Sequence, residues 1–355
     1  MKRILYLWLL AFWVVPELYA QDIHFSQFAY SPSNINPALT GVFRGNARLI
    51  GNVRSQWRAV PVKYRTFSTS ADFKIPKRFD RNGFFAAGAA FNYDDAGFSA
   101  VESRTLKLAN LNLSGSYTHK LADFAFLTAG LQAGFSNRRF DLDGLYFDSQ
   151  YDPATSGLDP SKNHGEDFQA DNNNFADLST GLNFRFQDYS SCEIVNDLSK
   201  RSFLDVGIGI FHLNRPDQSF GNDGDSRLFV RYSPYLFANK QVDDIVDVFG
   251  NLNFQFQGPY REWLAALGGR VYIDRTPGNQ KSVALSCGYR FNRDFGDVVY
   301  PTLEVQIGEI YGSFSYDINL SDFRVATLRR GGPEIAVRYI ISKVCFDNKY
   351  FCPLL

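Results

Sequence analysis

The chain has 355 residues, with 37 basic and 37 acidic side chains and a formal net charge of zero. That balance supplies no field to recruit nucleic acid or an anionic surface. Aromatic residues make up 16% of the chain, a bias toward strands and membrane interfaces, while a slightly negative mean hydropathy excludes a bundle of transmembrane helices, each needing ~20 consecutive apolar residues.

Residues 1–20 read as a leader. Lys2 and Arg3 precede an unbroken apolar run, Ile4 to Val15. Pro16 breaks the run, and Leu18-Tyr19-Ala20 ends on a small residue before Gln21. This is the anatomy of a cleaved secretory signal peptide, and the run is too short for a spanning anchor, which needs ~20 residues. No Cys follows the leader directly, which argues against a lipoprotein anchor.

Residues 21–45 form an irregular segment. Ser31-Pro32, Asn36-Pro37 and Gly41 break any long helix or strand. Phe25, Phe28, Tyr30, Ile35, Leu39 and Phe43 need cover from water. The segment is therefore expected to pack on or in the rest of the molecule, with Pro37 opening a short helical turn.

From residue 46 to about 345 one pattern repeats: segments of about ten residues alternate apolar and polar between turn signals, as in transmembrane β-barrels. Ala47, Leu49, Gly51 and Val53 share one face of the first strand; Arg48, Asn52, Arg54 and Gln56, beside Trp57, share the other. The polar face should line a lumen, either paired with acids such as Asp72 or serving as a docking point for a segment inside. Further strands are expected near Thr66–Phe73, Gly83–Tyr93, Arg104–Tyr117 and Phe124–Ser136. After a long acidic connection come Ala176–Phe186, Phe203–Leu213, Leu228–Ala238, Ile245–Gln257 and Trp263–Ile273. Val283–Phe291, Thr302–Gly308, Gly312–Ile318 and Ile335–Ile341 complete the pattern. The fold class is all-β: an antiparallel transmembrane barrel of about 14 strands, with 12 to 16 the range. Short links (118–122, 240–244, 309–311) and long ones (137–175, 214–226, 321–332) fall largely on opposite sides, the outer-membrane arrangement.

Chemistry-bearing clusters are few. The connection 137–175 carries Asp141, Asp143, Asp148, Asp152, Asp159, Glu166, Asp167 and Asp171, hard ligands for calcium in principle, but Asp141-Leu142-Asp143-Gly144 is only a fragment of a calcium loop. A solvated or partner-binding outer loop is the simpler reading. Of four His residues none has metal-binding spacing. His212 is the one base placed for hydrolase chemistry, and no nucleophile signature surrounds it. No enzyme, metal or cofactor is expected. Cys192, Cys287, Cys345 and Cys352 form no dense framework; Cys345 and Cys352 flank a short loop and either pair or stay free. Residues 346–355 would be a periplasmic tail.

Three stretches carry a family resemblance. Asp22-Ile23-His24-Phe25-Ser26-Gln27-Phe28, Asn36-Pro37-Ala38-Leu39-Thr40-Gly41 and Arg54-Ser55-Gln56-Trp57 resemble the PorP/SprF family of the type IX secretion system of the Bacteroidota. Gly332-Pro333-Glu334-Ile335, Tyr339 and Cys352-Pro353 resemble its closing strand and tail. The resemblance implies an outer-membrane barrel working with the secretion machinery. Its expected partners are that machinery, membrane lipid and a surface cargo, such as an adhesin of gliding motility held by its C-terminal targeting domain. The alternative is a passive diffusion channel or small-molecule transporter.

Overall fold

A computed structural model describes residues 22–56, 63–75, 82–98, 106–140, 147–152, 157–159, 161–163, 165, 171–188, 200–220, 227–276, 279–292, 296–321 and 324–341. The leader, Trp57, Cys192, Cys345, Cys352, the tail and part of the acidic connection lie outside them.

Fourteen antiparallel strands close into a barrel. In chain order they are β1 (Ala47–Gln56), β2 (Lys63–Ile75), β3 (Gly83–Phe98), β4 (Leu106–Ala122) and β5 (Ala125–Phe140), then, past a two-residue ribbon β6 (Tyr151–Asp152) and β7 (Gly157–Leu158), β8 (Asn172–Gln187) and β9 (Phe203–Phe211). The remainder are β10 (Arg231–Gln241), β11 (Val246–Gln257), β12 (Tyr260–Asp274), β13 (Lys281–Asn292), β14 (Gly296–Ile307), β15 (Ile310–Asn319) and β16 (Arg330–Ile341). Each strand pairs with its chain neighbours, β5 with β8, and β1 closes on β16 with Arg54 opposite Glu334. Closure leaves no sheet edge, which a lipid-embedded sheet requires.

The expected strand count holds, while several boundaries move. β4 runs to Ala122, so the residues expected as a link, 118–122, belong to the strand and the turn is Asp123-Phe124. β3 continues past Tyr93 to Phe98, and β14 begins at Gly296 rather than near Thr302. In each case polar residues such as Asp94, Asp95 and Lys107 stay in the ladder because hydrogen bonding, not side-chain alternation, sets where pairing stops.

The barrel is apolar outside and polar inside. Leu131, Leu113, Phe135 and Leu285 face outward and are exposed. Phe254, Trp263, Phe291 and Tyr289 form a chain of ring contacts at one end of the wall, and Phe124, Phe184 and Phe186 a second at the other. Two aromatic girdles flanking an apolar band are the outer surface of a membrane barrel. Asn52, Arg54, Asn183, Asp247, Asn253, Glu262 and Glu334 face inward and are buried.

What buries them is the irregular segment. Residues 22–45 run inside the lumen along its length. Asp22 lies at the end that carries the long connections, here the loop end; Phe43 to Asn46 lie at the opposite end, where β1 starts and β16 finishes, the terminal end. Three 3-10 turns, Phe28–Tyr30, Pro32–Asn34 and Pro37–Leu39, compact the segment. Pro37 opens the last turn, where a missing N–H costs nothing, and Asn36 caps it through Oδ1 accepting from Ala38 N at 2.8 Å.

The wall makes room for that turn with glycine. A Cβ on Gly130 of β5 would collide with Ala38, on Gly181 of β8 with Asn36, and on Gly209 of β9 with Ile35. These glycines flatten three strands into a seat for Ile35–Ala38. Gly51 of β1, by contrast, has open space around its missing side chain. Overpacking of a tight contact costs about 1–3 kcal/mol. Gly181→Val should therefore expose the lead-in to trypsin at Arg44, while Gly51→Val stays as resistant as the native barrel. Equal resistance of the two variants on a digestion time course would remove the seat from the account.

Candidate functional site

The lumen holds an array of ion pairs between plug and wall. At its loop end Arg54 of β1 is 1% exposed and lies 2.8 Å from Asp317 of β15 and 3.6 Å from Glu334 of β16. Arg54 also donates to the His24 carbonyl. The plug answers from its own backbone: Ser26 N and Gln27 N each donate to Glu334 at 2.9 Å, and Ser26 Oγ donates to Asp317 at 2.8 Å. Arg290 of β13 completes the cluster, 2.9 Å from Asp297, 3.6 Å from Asp317 and 3.7 Å from Glu262. Arg54, one side chain of the first strand, thus ties β1 to β15, β16 and the lead-in. Arg suits this place because its planar fork donates in several directions at once.

A second latch fixes the start of the segment. Asp22 Oδ2 sits 2.6 Å from His212 Nε2 and 3.2 Å from Arg231 Nε. His212 Nδ1 faces Asp177 at 3.1 Å. His212 holds the left-handed backbone region, φ 59°, just past β9, a conformation an ordinary residue adopts only when its surroundings fix it. Burial alone would lower the imidazole; the two carboxylates override it and push the value up to about 9. Burial alone would raise the Asp22 carboxyl; His212 and Arg231 outweigh that and hold it well below the usual carboxylate range. His212 is therefore an ion-paired cation and not a free base.

Further down the segment, Asn36 Nδ2 donates to the Leu182 carbonyl at 2.9 Å and to Tyr235 Oη at 3.1 Å. Gly41 N donates to Asp72 Oδ2 at 2.8 Å, and the same carboxylate pairs with Arg48 at 2.7 Å. Gly41 needs its positive φ of 76° for that turn, and a side chain there would strike Ala86. Phe28, Ile35, Leu39 and Val42 form an apolar cluster with Tyr235, Leu264, Val298 and Tyr300.

Most of the residues singled out in sequence meet here. Asp22, Gln27, Asn36, Gly41 and Arg54 make the polar contacts above. Phe25 and Phe28 are 3% and 4% exposed, and Pro37 is buried on the glycine seat. Gln56 ends β1 opposite Tyr64, away from this network, and Trp57 lies outside the described residues. Both readings of the first strand's polar face hold: Arg48 pairs with Asp72 across the hairpin, and Arg54 docks the inner segment. Sequence reading missed Asp317, Glu334 as an ion partner, Arg290 and Arg231. Their signal was available: charged residues at inward positions of late strands, where a lone charge is rarely tolerated. Among the described residues no group of three or more His, Cys, Asp or Glu converges to hold a metal ion.

Closure, polarity and an internal plug define a plugged outer-membrane β-barrel. Its solved likenesses have the same kind of fold. The toluene transporter TodX of Pseudomonas putida aligns over 90% of this chain and 95% of its own, at 11% identity and a TM-score of 0.50. A TodX deltaS2S3 mutant, a monoaromatic hydrocarbon channel, aligns over 86% and 93%, at 10% identity and a TM-score of 0.52. Identities this low speak for the fold alone. No curated protein matches the chain. The family described as type IX secretion system membrane protein PorP/SprF matches residues 17–339, and the chain belongs to that family.

Removing one partner of a buried ion cluster strands the others. Arg54→Met should lower stability by about 3–5 kcal/mol in urea unfolding of the refolded barrel, with part of the loss recovered by adding Asp317→Asn. A loss below about 1 kcal/mol would show that the acids do not depend on Arg54. The His212 latch has a pH signature. Its raised value means the stabilisation is whole below the free imidazole value of ~6.5 and is lost as pH rises through about 9. Asp22 contributes in the other sense, whole above ~3.9 and lost only in strong acid. Relative to His212→Gln, the native barrel should lose roughly 1–3 kcal/mol as pH rises across that interval. Parallel stability curves for the two proteins would rule out an ion-paired imidazolium.

Proposed function

We propose that the chain is a closed outer-membrane barrel of the type IX secretion system that holds a secreted cargo, or a machinery protein, at the cell surface. The filled lumen carries this reading. A segment buried in the lumen, ion-paired to the wall at Asp22 and held by Arg48 of β1 through the Leu39 carbonyl, suits a rigid docking scaffold better than an open pore. The long connections gather at one end, the outward side of such barrels. The partner surface is assigned to that end. A C-terminal targeting domain of a surface adhesin is the cargo class that fits the family.

A second reading draws on one observation, the fold shared with a toluene transporter. In that reading the plug rearranges to pass a small molecule. Planar-bilayer recordings separate the two: the docking scaffold is silent, and the transporter gives a steady or substrate-gated current. Deleting the gene should release a surface protein into the medium or keep it inside the cell. Deleting only residues 147–165 should leave the barrel in the membrane and give the same loss of display. An unchanged surface proteome in both strains would sink the docking role.

A further inference from the structure

The terminal half of the lumen contains a cavity of about 300 Å³ between the lead-in and the wall formed by β8 to β16, with Arg48 of β1. That is the lower end of the size range for small-molecule sites. Its apolar lining is aromatic, led by Phe28 from the plug and Phe237 and Phe249 from the wall. Its polar lining is unbalanced. Arg270 and Arg338 project into it with Glu304 between them, the other lining acid, Asp205, being matched to Arg185. Both oxygens of Glu304 are taken, Oε1 by Arg270 and Oε2 by the Tyr30 hydroxyl, which donates to it. Arg338 has no carboxylate at ion-pair distance among the described residues; its guanidinium lies over the Tyr311 and Tyr30 rings, 4.2 and 4.8 Å from their centroids. Two cations thus face one anion.

The hydrogen-bond count is also unfinished. Arg270 Nε, Arg338 Nε, Tyr300 Oη and Ser313 Oγ are buried and have no hydrogen-bond partner. All four residues line the cavity, and Tyr300 and Ser313 are 2% and 5% exposed. A buried donor left unpaired costs roughly 1–3 kcal/mol, and an uncompensated buried charge costs more. These four groups able to donate, set against one unpaired acceptor on the same lining, Gln27 Oε1, therefore mark a place built for an acceptor. Three other lining arginines each face a carboxylate of their own: Arg48 pairs with Asp72, Arg201 with Asp247 and Arg185 with Asp205.

We propose that this cavity is a binding site for an aromatic carboxylate. One negative charge balances the surplus cation. A carboxylate offers about four lone-pair sites, matching two guanidinium N–H donors and two hydroxyls. A dianion such as phosphate would overshoot the charge and leave the aromatic walls uncovered, whereas a ring packs against Phe28, Phe237 and Phe249 in offset or edge contact. The carboxylate comes either from a free aromatic acid or from the last residue of a peptide entering from the terminal end. The site is separate from the surface-docking role, which concerns the loop end, so either stands if the other fails.

The test uses the full barrel in nanodiscs and calorimetric titration with 3-phenylpropanoate, its primary amide, and the tripeptide Gly-Gly-Phe. The acid should bind and the amide should bind at least tenfold more weakly. Arg338→Gln should weaken the acid at least tenfold and leave the amide unchanged. Tyr300→Phe keeps the ring and removes only an unpartnered hydroxyl, so it folds normally and should weaken the acid several-fold; it decides the matter where Arg338→Gln does not fold. Tripeptide binding that matches the acid assigns the peptide source, and acid binding without it assigns the free acid. Equal binding of acid and amide, native affinity in Tyr300→Phe, or no binding up to about 10 mM overturns the proposal.

Discussion

A buried guanidinium on the first strand organises this barrel. Arg54 stands where β1 meets β16, and its partners are Asp317, Glu334 and the carbonyl of His24. Buried charges are tolerated only when paired and hydrogen-bonded. The lead-in supplies what the wall alone cannot, because the Ser26 and Gln27 amides satisfy the far side of Glu334. Closing the sheet and seating the plug are thus one event: the acids of the seam need the plug, and the plug needs the seam.

The same constraint explains the division of residue types. The outer face takes whatever is apolar, and its Leu, Val and Phe are interchangeable in kind. The inner face is specified group by group, by a glycine where backbone presses on backbone and by an amide or acid where the segment turns. Asn36 illustrates the point. It caps its own turn and reaches Leu182 and Tyr235 on two different strands, so no other side chain fills its place.

Sequence alone made the barrel legible because a period of two survives in nearly every strand, and the Asn-Pro-Ala-Leu-Thr-Gly stretch announced a turn needing cover. It also named Asp22, Asn36, Gly41 and Arg54. The partners of those residues were not legible. Asp317 and Glu334 lie more than 260 positions from Arg54 in sequence, as the separation of 263 between Arg54 and Asp317 shows, and alternation says which face a residue takes but not which of thirteen other strands it will meet across a lumen. Strand ends were blurred for a related reason. Polar residues near the loop end remain in hydrogen-bonded ladders, where no alternation marks the limit.

The direction of the lead-in has a consequence for how such a protein is put together. The segment enters at the loop end with Asp22 and leaves at the terminal end into β1, so the polypeptide traverses the membrane once more than its strands imply, as a strand-free fifteenth crossing in the axis of the cylinder. A finished cylinder offers no route for that thread, with Ile35–Ala38 wedged against three glycines. The wall has to wrap around its own N-terminal thread, so the lead-in is in place before the last strand pairs with the first.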